Sequence, residues 1–176
     1  MTSLNSDLPV VAWDLDYTVI YPDPKRPAHL TEAQLQWENG VILNPLLEGM
    51  EEEITHVITG RPESVREKTE NMLLRFGIEA ELYMNPVEKF DQHHIASMKA
   101  EHLNEIGAFL YVEDNGAYRE VMRQYTSDIL YSSVAEVCAL YSTKVVLDSG
   151  SRRFIDSIAH TWKIDRDQKK NVTDRV

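Results

Sequence analysis

Short apolar runs alternate with longer stretches of mixed polarity along most of the chain. A short apolar run bounded by polar or turn residues predicts a buried strand, and such runs occupy residues 9–13, 54–58, 81–84, 108–112, 129–131 and 145–147. The stretches between them predict helices over residues 31–51, 62–76, 91–105, 116–124, 133–141 and 151–163. The first of these is interrupted near Asn39-Gly40 and Asn44-Pro45. Strands that alternate with helices are typical of βαβ units, so we expect an α/β fold with a central parallel sheet between layers of helices.

The size and composition are those of one folded domain. Of the 176 residues, 43% are hydrophobic and 27% are charged, as in soluble globular proteins. No repeat or Gly/Ser linker divides the chain, so we expect a single domain over 1–176, with a helical extension over about 150–176. No apolar run approaches the ~20 residues that span a bilayer, and no secretion signal is recognisable. With Cys138 as the single cysteine, the expected setting is cytoplasmic, away from membranes.

The chain is strongly acidic, with a formal net charge of −11 at pH 7. Nonspecific binding along nucleic acid depends on cations that neutralise many phosphates, so extended binding of that kind is not expected. A local basic pocket for a single phosphate group is compatible with the same net charge. A polyanionic partner would therefore be held at only a few points.

Two carboxylates, Asp14 and Asp16, follow the first predicted strand. A carboxylate at a strand end can act as a nucleophile and a metal ligand, and a second one just beyond it can act as a general acid–base. The Asp-x-Asp pattern is common, and its bland interpretation is an acidic turn after a strand. The pair becomes informative only together with polar groups at other strand ends.

Polar groups do follow two further predicted strands. Thr59, Gly60 and Arg61 follow one of them and offer a hydroxyl, a close backbone approach and a bidentate cation. Glu113 and Asp114 follow another and offer carboxylate oxygens, which Mg²⁺ prefers. Because ligands of parallel sheets bind at the carboxyl ends of the strands, we expect these groups to form one site with the acid pair.

Cations near this site come from two places in the sequence. Lys99 lies on the predicted helix that leads into the strand over 108–112, whereas the alternative, Lys89, lies in a predicted loop. Lys25 and Arg26 lie between prolines in the loop after the acid pair. The prolines stiffen this loop, which is expected to overhang Asp14 and to contact phosphate.

Taken in order, these strand-end groups resemble the four motifs of the haloacid dehalogenase superfamily over about residues 9–115. The resemblance implies a three-layer α/β sandwich and a Mg²⁺-dependent phosphatase that forms an aspartyl-phosphate intermediate. Asp14 would be the nucleophile and a metal ligand. Asp16 would be the general acid–base and would also give its backbone carbonyl to the metal. This second acid sets the sequence apart from the true dehalogenases.

The remaining roles come from the same resemblance. Thr59 would bind the transferring phosphoryl group, Lys99 would neutralise Asp14 and the phosphate, and Asp114 would ligate Mg²⁺. Three further side chains are expected to support these groups without touching metal or substrate: Thr18, Glu113 and Asn115.

Residues 59–86 resemble the matching segment of the 3′-phosphatase domains of phage polynucleotide kinases. The residues that agree are Thr59, Gly60, Arg61, Glu63, Val65, Arg66, Lys68, Thr69, Gly77, Ile78, Leu82, Tyr83 and Met84. This likeness implies phosphate contacts from Gly60 and Arg61 and a further cation from Arg26, with Lys25 as the alternative. The positions that depart from it are Tyr17, Asn85 and Ile95. The sequence contains no Gly-rich Lys-Ser/Thr phosphate loop for a kinase activity.

The two places where relatives carry a cap domain are short in this sequence. About 35 residues separate Thr18 from the second predicted strand, and about fifteen separate Met84 from Lys99. We therefore expect an absent or minimal cap and an open site. Such a site suits a bulky substrate such as a nucleic-acid end, or else requires a partner subunit, as in a homo-oligomer, to exclude water.

The leading hypothesis from the sequence is a phosphomonoesterase that acts on a nucleotide or on the terminal (3′) phosphate of a nucleic acid, with Mg²⁺ as its cofactor. One alternative is a general phosphatase of small molecules such as sugar phosphates. Another is a catalytically idle protein of the same fold that binds or regulates a partner.

Overall fold

The computed structural model describes residues 10–25, 40–88 and 91–145 of the chain. Within them, seven strands are numbered in chain order: β1 Val10–Trp13, β2 Ile20–Pro22, β3 Val41–Leu43, β4 His56–Pro62, β5 Glu81–Asn85, β6 Ala108–Val112 and β7 Leu130–Ser132. Five of them form a parallel sheet in the order β5-β4-β1-β6-β7. The strand β1 is central, and its Trp13 pairs with Val57 on one side and Val112 on the other.

Four α-helices connect these strands: α1 Arg66–Arg75, α2 Gln92–Glu105, α3 Gly116–Met122 and α4 Val134–Val145. The predicted helix over 62–76 begins as a 3₁₀ turn over Glu63–Val65 before α1. It ends before Gly77, whose φ of 76° suits glycine at a helix C-terminus. Asp91 caps the start of α2, since its carboxylate accepts a hydrogen bond from the backbone N–H of His94.

The helices cover both faces of the sheet because side chains alternate along each strand. On one face, Trp13 packs in a core that includes residues of α1 and α4. On the other face, Ala12 and Tyr111 pack against α2 and α3. The predicted α/β fold, with a central parallel sheet between two helical layers, is confirmed.

A small antiparallel pair, β2 with β3, follows the acid pair. The predicted helix over 31–51 is therefore wrong at 41–43, because these apolar residues pair with residues 20–22 instead of continuing a helix. Beyond β3 the chain forms two short 3₁₀ helices, Pro45–Leu47 and Glu51–Glu53. Residues 31–39 of that prediction lie outside the described part of the chain.

The end of the described chain also differs from the sequence prediction. The helix α4 continues through Val145, where a strand over 145–147 was predicted. The rest of that strand, the predicted helix over 151–163 and the extension over about 150–176 lie outside the described residues.

The described residues at the two cap positions form no separate domain. Between Thr18 and β4 they build only β2, β3 and the two 3₁₀ helices, and between β5 and Lys99 they build a turn and the start of α2. None of the helices described has the length and apolar character needed to cross a membrane.

Candidate active site at the carboxyl ends of the strands

Asp14 is the first residue after β1 and continues its pairing, because its backbone N–H donates to the Val112 carbonyl at 2.8 Å. Its side chain is buried. One carboxylate oxygen accepts a hydrogen bond from the Lys99 ammonium at 2.5 Å, and the other accepts one from the Thr18 hydroxyl at 3.2 Å. The carboxylate is therefore held on both oxygens by groups from α2 and from the loop after β1.

The loop after β1 turns tightly and brings Thr18 back to Asp14. The carbonyl of Leu15 accepts backbone hydrogen bonds from Thr18, Val19 and Ile20. Tyr17 sits at a φ of 63°, which is unusual for a residue other than glycine. Glycine adopts this conformation at least cost, and here the position carries an exposed tyrosine close to the acid pair.

Lys99 is only 2% exposed, and its charge is compensated by two carboxylates. Its ammonium donates to Asp14 and, at 2.9 Å, to Glu113, which is itself buried. The rings of Tyr111 and Tyr118 lie 5.7 and 5.1 Å from the same ammonium nitrogen. Burial acts to lower the pKa of Lys99, but the neighbouring carboxylates raise it well above its usual range, so the lysine is a permanent cation.

The same cluster opposes ionisation of Asp14. Burial and the nearby charge of Glu113 raise the pKa of Asp14 to about 7, although Lys99 acts in the opposite direction. A nucleophilic carboxylate must be ionised. A cation bound at Asp14 would favour that ionised form.

Asp114 lies close to Asp14 through a shared neighbour. The backbone N–H of Asp114 donates to the Thr18 hydroxyl at 3.5 Å, and that hydroxyl donates to Asp14. The Asp114 carboxylate accepts hydrogen bonds from the Val134 backbone N–H at 3.0 Å and from the Tyr21 hydroxyl at 3.5 Å. The Thr18 hydroxyl thus links the Asp14 carboxylate to the backbone of Asp114, whose own carboxylate is held by Val134 and Tyr21.

The donor set fits a hard divalent cation that keeps several waters. In the described segments, no group of three His, Cys, Asp or Glu side chains is placed to hold a metal, but Mg²⁺ needs only one or two carboxylates with waters. No described residue donates a hydrogen bond to the Asp16 carbonyl oxygen. Among the described residues, four carboxyl groups meet two cations here, so the formal charge of the cluster is −2 when all four are ionised: Asp14, Asp16, Glu113 and Asp114 with Arg61 and Lys99.

Thr59 and Gly60 lie in β4, next to the central strand. Thr59 is buried, and its hydroxyl accepts a hydrogen bond from the Arg61 backbone N–H at 3.2 Å. A Cβ atom at Gly60 would lie 3.1 Å from the Ile95 side chain. The close approach of β4 to the Ile95 side chain on α2 therefore favours glycine at position 60.

Arg61 contacts the second carboxylate of the acid pair. Its Nε and Nη2 donate to the two Asp16 carboxylate oxygens at 2.9 and 2.7 Å. The guanidinium is thus bound to Asp16, whereas the sequence predicted a contact with the substrate phosphate.

The other predicted site residues are placed as follows. Asn115 caps α3, since its side chain accepts hydrogen bonds from the backbone N–H groups of Ala117 and Tyr118. Lys25 is exposed, and no contact within the described residues joins its side chain to the acid pair. Arg26 and Lys89 lie outside the described part of the chain.

Several residues that contact the site were not predicted from the sequence. They are Tyr21, Thr69, Tyr111, Tyr118 and Val134. The tyrosines follow the spacing of ordinary core positions, so their pattern does not separate them from packing residues. The sequence offered one signal, which is that Tyr118 follows shortly after the carboxylates Glu113 and Asp114.

Comparison with known proteins gives one likeness in structure and none in sequence. No protein-family model and no curated protein matches the chain. The fold is similar to a chain from a solved structure of the Pnkp1/Rnl/Hen1 RNA repair complex, with a TM-score of 0.50 and 19% sequence identity. The match covers 73% of this chain and 44% of that one. The likeness shows a shared fold, and the chain spans less than half of that neighbour's length.

Proposed function

We propose that the chain is a Mg²⁺-dependent phosphomonoesterase of the haloacid dehalogenase type that forms an aspartyl-phosphate on Asp14. The observation that carries this proposal is the buried Asp14 carboxylate, held by Lys99 at 2.5 Å and by Thr18 at 3.2 Å at the carboxyl end of the central strand. A buried carboxylate with only a structural role would have its negative charge compensated by neighbouring cations. This one lies in a cluster with excess negative charge, as a cation-assisted nucleophile requires.

The reaction proceeds in two steps. A carboxylate oxygen of Asp14 forms a bond to phosphorus as the bond to the leaving oxygen breaks, and Asp16 gives that oxygen a proton. Water then attacks the phosphorus of the acyl phosphate, Asp16 takes a proton from it, and Asp14 is released with inorganic phosphate. Lys99 and Thr59 hold the phosphoryl oxygens. When bound by Asp14, Asp114 and the Asp16 carbonyl, Mg²⁺ neutralises charge on the phosphoryl group.

The proposed substrate is a nucleotide or the terminal (3′) phosphate of a nucleic acid. Support comes from the likeness of residues 59–86 to polynucleotide 3′-phosphatase domains and from the shared fold with a chain of an RNA repair complex. The described cap positions carry no folded cap, which leaves room for a bulky substrate. Lys25 and Arg26 would contact a flanking phosphate or sugar. The net charge of −11 favours one alternative substrate, a small phosphorylated metabolite.

Magnesium is expected to stabilise the protein as well as activate it. At a concentration about 100 times its dissociation constant, a ligand that binds only the folded state adds about 2.7 kcal/mol to the free energy of unfolding. Denaturant titration with Mg²⁺ or with EDTA measures this difference. The variant Asp114→Asn should lose most of it, and the control Asp128→Asn, at the opposite edge of the sheet before β7, should keep it.

Two results would contradict this metal assignment. One is an equal effect of Mg²⁺ on wild type and Asp114→Asn. The other is stabilisation by Zn²⁺ instead, removed by His94→Ala.

A substrate panel tests the choice between nucleic-acid ends and metabolites. We expect 3′-phosphorylated oligonucleotides to give a higher kcat/KM than 5′-phosphorylated ones, free nucleotides or sugar phosphates. The salt dependence should be shallow, with a slope of log affinity near −0.7 for each phosphate neutralised on a single strand. Rapid turnover of a sugar phosphate with inert oligonucleotide ends would replace the nucleic-acid substrate with the small-molecule alternative.

A further inference from the structure

Arg61 and Asp16 form a bidentate ion pair at the site. Both carboxylate oxygens of Asp16 accept a hydrogen bond from the same guanidinium, at 2.9 and 2.7 Å. Such bidentate pairs fix the orientation of the carboxylate as well as its position. The arginine side chain is 3% exposed and the aspartate side chain 28% exposed, so a buried fork holds a carboxylate that solvent and substrate can reach.

The Arg61 guanidinium also contacts α1. Its Nη1 lies 3.5 Å from the Thr69 hydroxyl and 4.0 Å from the Met72 sulfur, both on α1. The Thr69 hydroxyl in turn donates to the Val65 carbonyl at 3.0 Å. Because Arg61 belongs to β4, its side chain is held between that strand and α1, and the pairing in turn fixes the Asp16 carboxylate.

This geometry directs one edge of the guanidinium at Asp16. The Nε and Nη2 donors of Arg61 point to Asp16, and Nη1 lies against α1. Among the described residues, Arg61 is the cation within hydrogen-bond distance of the Asp16 carboxylate, and it binds both carboxylate oxygens. Lys99, by contrast, already contacts Asp14, where the phosphoryl group would be bound.

We infer that Arg61 is a positioning residue for Asp16, the proposed general acid–base, and that it is not a phosphate ligand. The inference rests on the proposed phosphatase function. Arg61 holds the Asp16 side chain in one orientation. From there the carboxyl proton passes to the leaving oxygen as the oxygen–phosphorus bond breaks, and a proton returns from the attacking water in the second step. Arg61 itself exchanges no proton with the substrate.

The experiment must distinguish an arginine that positions Asp16 from one that binds phosphate. It uses a series of phosphate esters whose leaving groups become more basic, from p-nitrophenyl phosphate through phenyl phosphate to an alkyl phosphate. Proton transfer to the leaving oxygen matters little for p-nitrophenolate and greatly for an alkoxide. We expect Arg61→Lys to lower kcat/KM for the alkyl ester by about 10²-fold, within the usual worth of general acid–base catalysis. The effect on p-nitrophenyl phosphate should be severalfold at most, so log kcat/KM falls more steeply with leaving-group basicity.

Two controls complete the experiment. Arg66→Lys changes another arginine that pairs with a carboxylate, since Arg66 at the start of α1 binds Glu63 in the preceding 3₁₀ turn and not Asp16, and it should leave the whole series unchanged. In an Asp16→Asn background, Arg61→Lys should have no further effect on kcat/KM, because the group that Arg61 positions is already gone.

The outcomes are distinct. An equal loss across all esters, additive with Asp16→Asn, would overturn the inference and restore Arg61 as a phosphate ligand while the proposed function stands. A wild-type protein that hydrolyses no ester in the series would overturn the proposed function, and this inference with it.

Discussion

Replacing Asp14 with asparagine is expected to lower turnover by about 10⁶-fold, the size of the loss when an enzyme with a covalent intermediate is deprived of its nucleophile. Asparagine has almost the same shape, but its amide cannot attack phosphorus and form an acyl phosphate. Steady-state hydrolysis of p-nitrophenyl phosphate in the presence of Mg²⁺ measures the loss. The control Asp128→Asn removes a carboxylate from the opposite edge of the sheet and should retain full activity.

The Asp14→Asn variant should remain folded. Lys99 keeps Glu113 as its partner at 2.9 Å, and the substitution removes one negative charge from a cluster that has an excess of them. Circular dichroism and denaturant titration of the metal-free protein should match or exceed wild type. Full activity in a folded Asp14→Asn variant would eliminate Asp14 as the nucleophile.

Replacing Lys99 with methionine is expected to abolish activity and also to destabilise the fold. Removing one partner of a buried ion pair typically costs about 3–5 kcal/mol, because the remaining charge is left uncompensated. Here two carboxylates, Asp14 and Glu113, would face each other in a buried site. Denaturant titration gives the change in stability, and p-nitrophenyl phosphate hydrolysis gives the change in turnover.

A double variant separates these two effects of Lys99. Adding Glu113→Gln to Lys99→Met removes one of the two uncompensated carboxylates, so it should recover much of the stability and none of the activity. The parallel variant Lys89→Ala should be stable and active. Loss of activity in Lys89→Ala, with Lys99→Met active, would show that Lys89 is the motif lysine.

The layered fold was predictable because each strand of the parallel sheet has a local signature. The strand Ala108–Val112 matches its apolar run residue for residue, and α2 begins and ends within a residue of its prediction. Both are defined by contiguous apolar residues or by a capping aspartate, Asp91. Such signals depend only on neighbouring residues in the chain.

The errors arose where pairing joins distant segments. Val41–Leu43 forms a strand only because Ile20–Pro22 lies beside it, and nothing local to either segment indicates that partner. The same holds for β4, predicted over 54–58, which continues to Pro62 through its pairing with Asn85. Tertiary pairing overrides local pattern in both cases.

Within the candidate site, the sequence indicated which residues lie near one another, but it did not indicate which side chains form hydrogen bonds with each other. The proximity of Asp14 and Asp114 follows from the meeting of parallel strand ends at one edge. The hydrogen bond between Lys99 and Glu113 does not follow from that arrangement. From the sequence, Glu113 was expected only to support the residues that touch metal or substrate. The partner of Arg61 does not follow either, because side-chain direction depends on the packing of α1 against β4.

The formation of an aspartyl-phosphate can be measured directly in the Asp16→Asn variant. With p-nitrophenyl phosphate, the departing phenolate needs no proton, so the first step should proceed. Hydrolysis of the intermediate should slow by about 10²–10⁴-fold without the general base. Acid quench, digestion and mass spectrometry should then find one phosphoryl group on Asp14 that hydroxylamine removes. Phosphate release by wild type with no phosphoryl group on Asp14 at any time, or with one on another residue, would contradict the account.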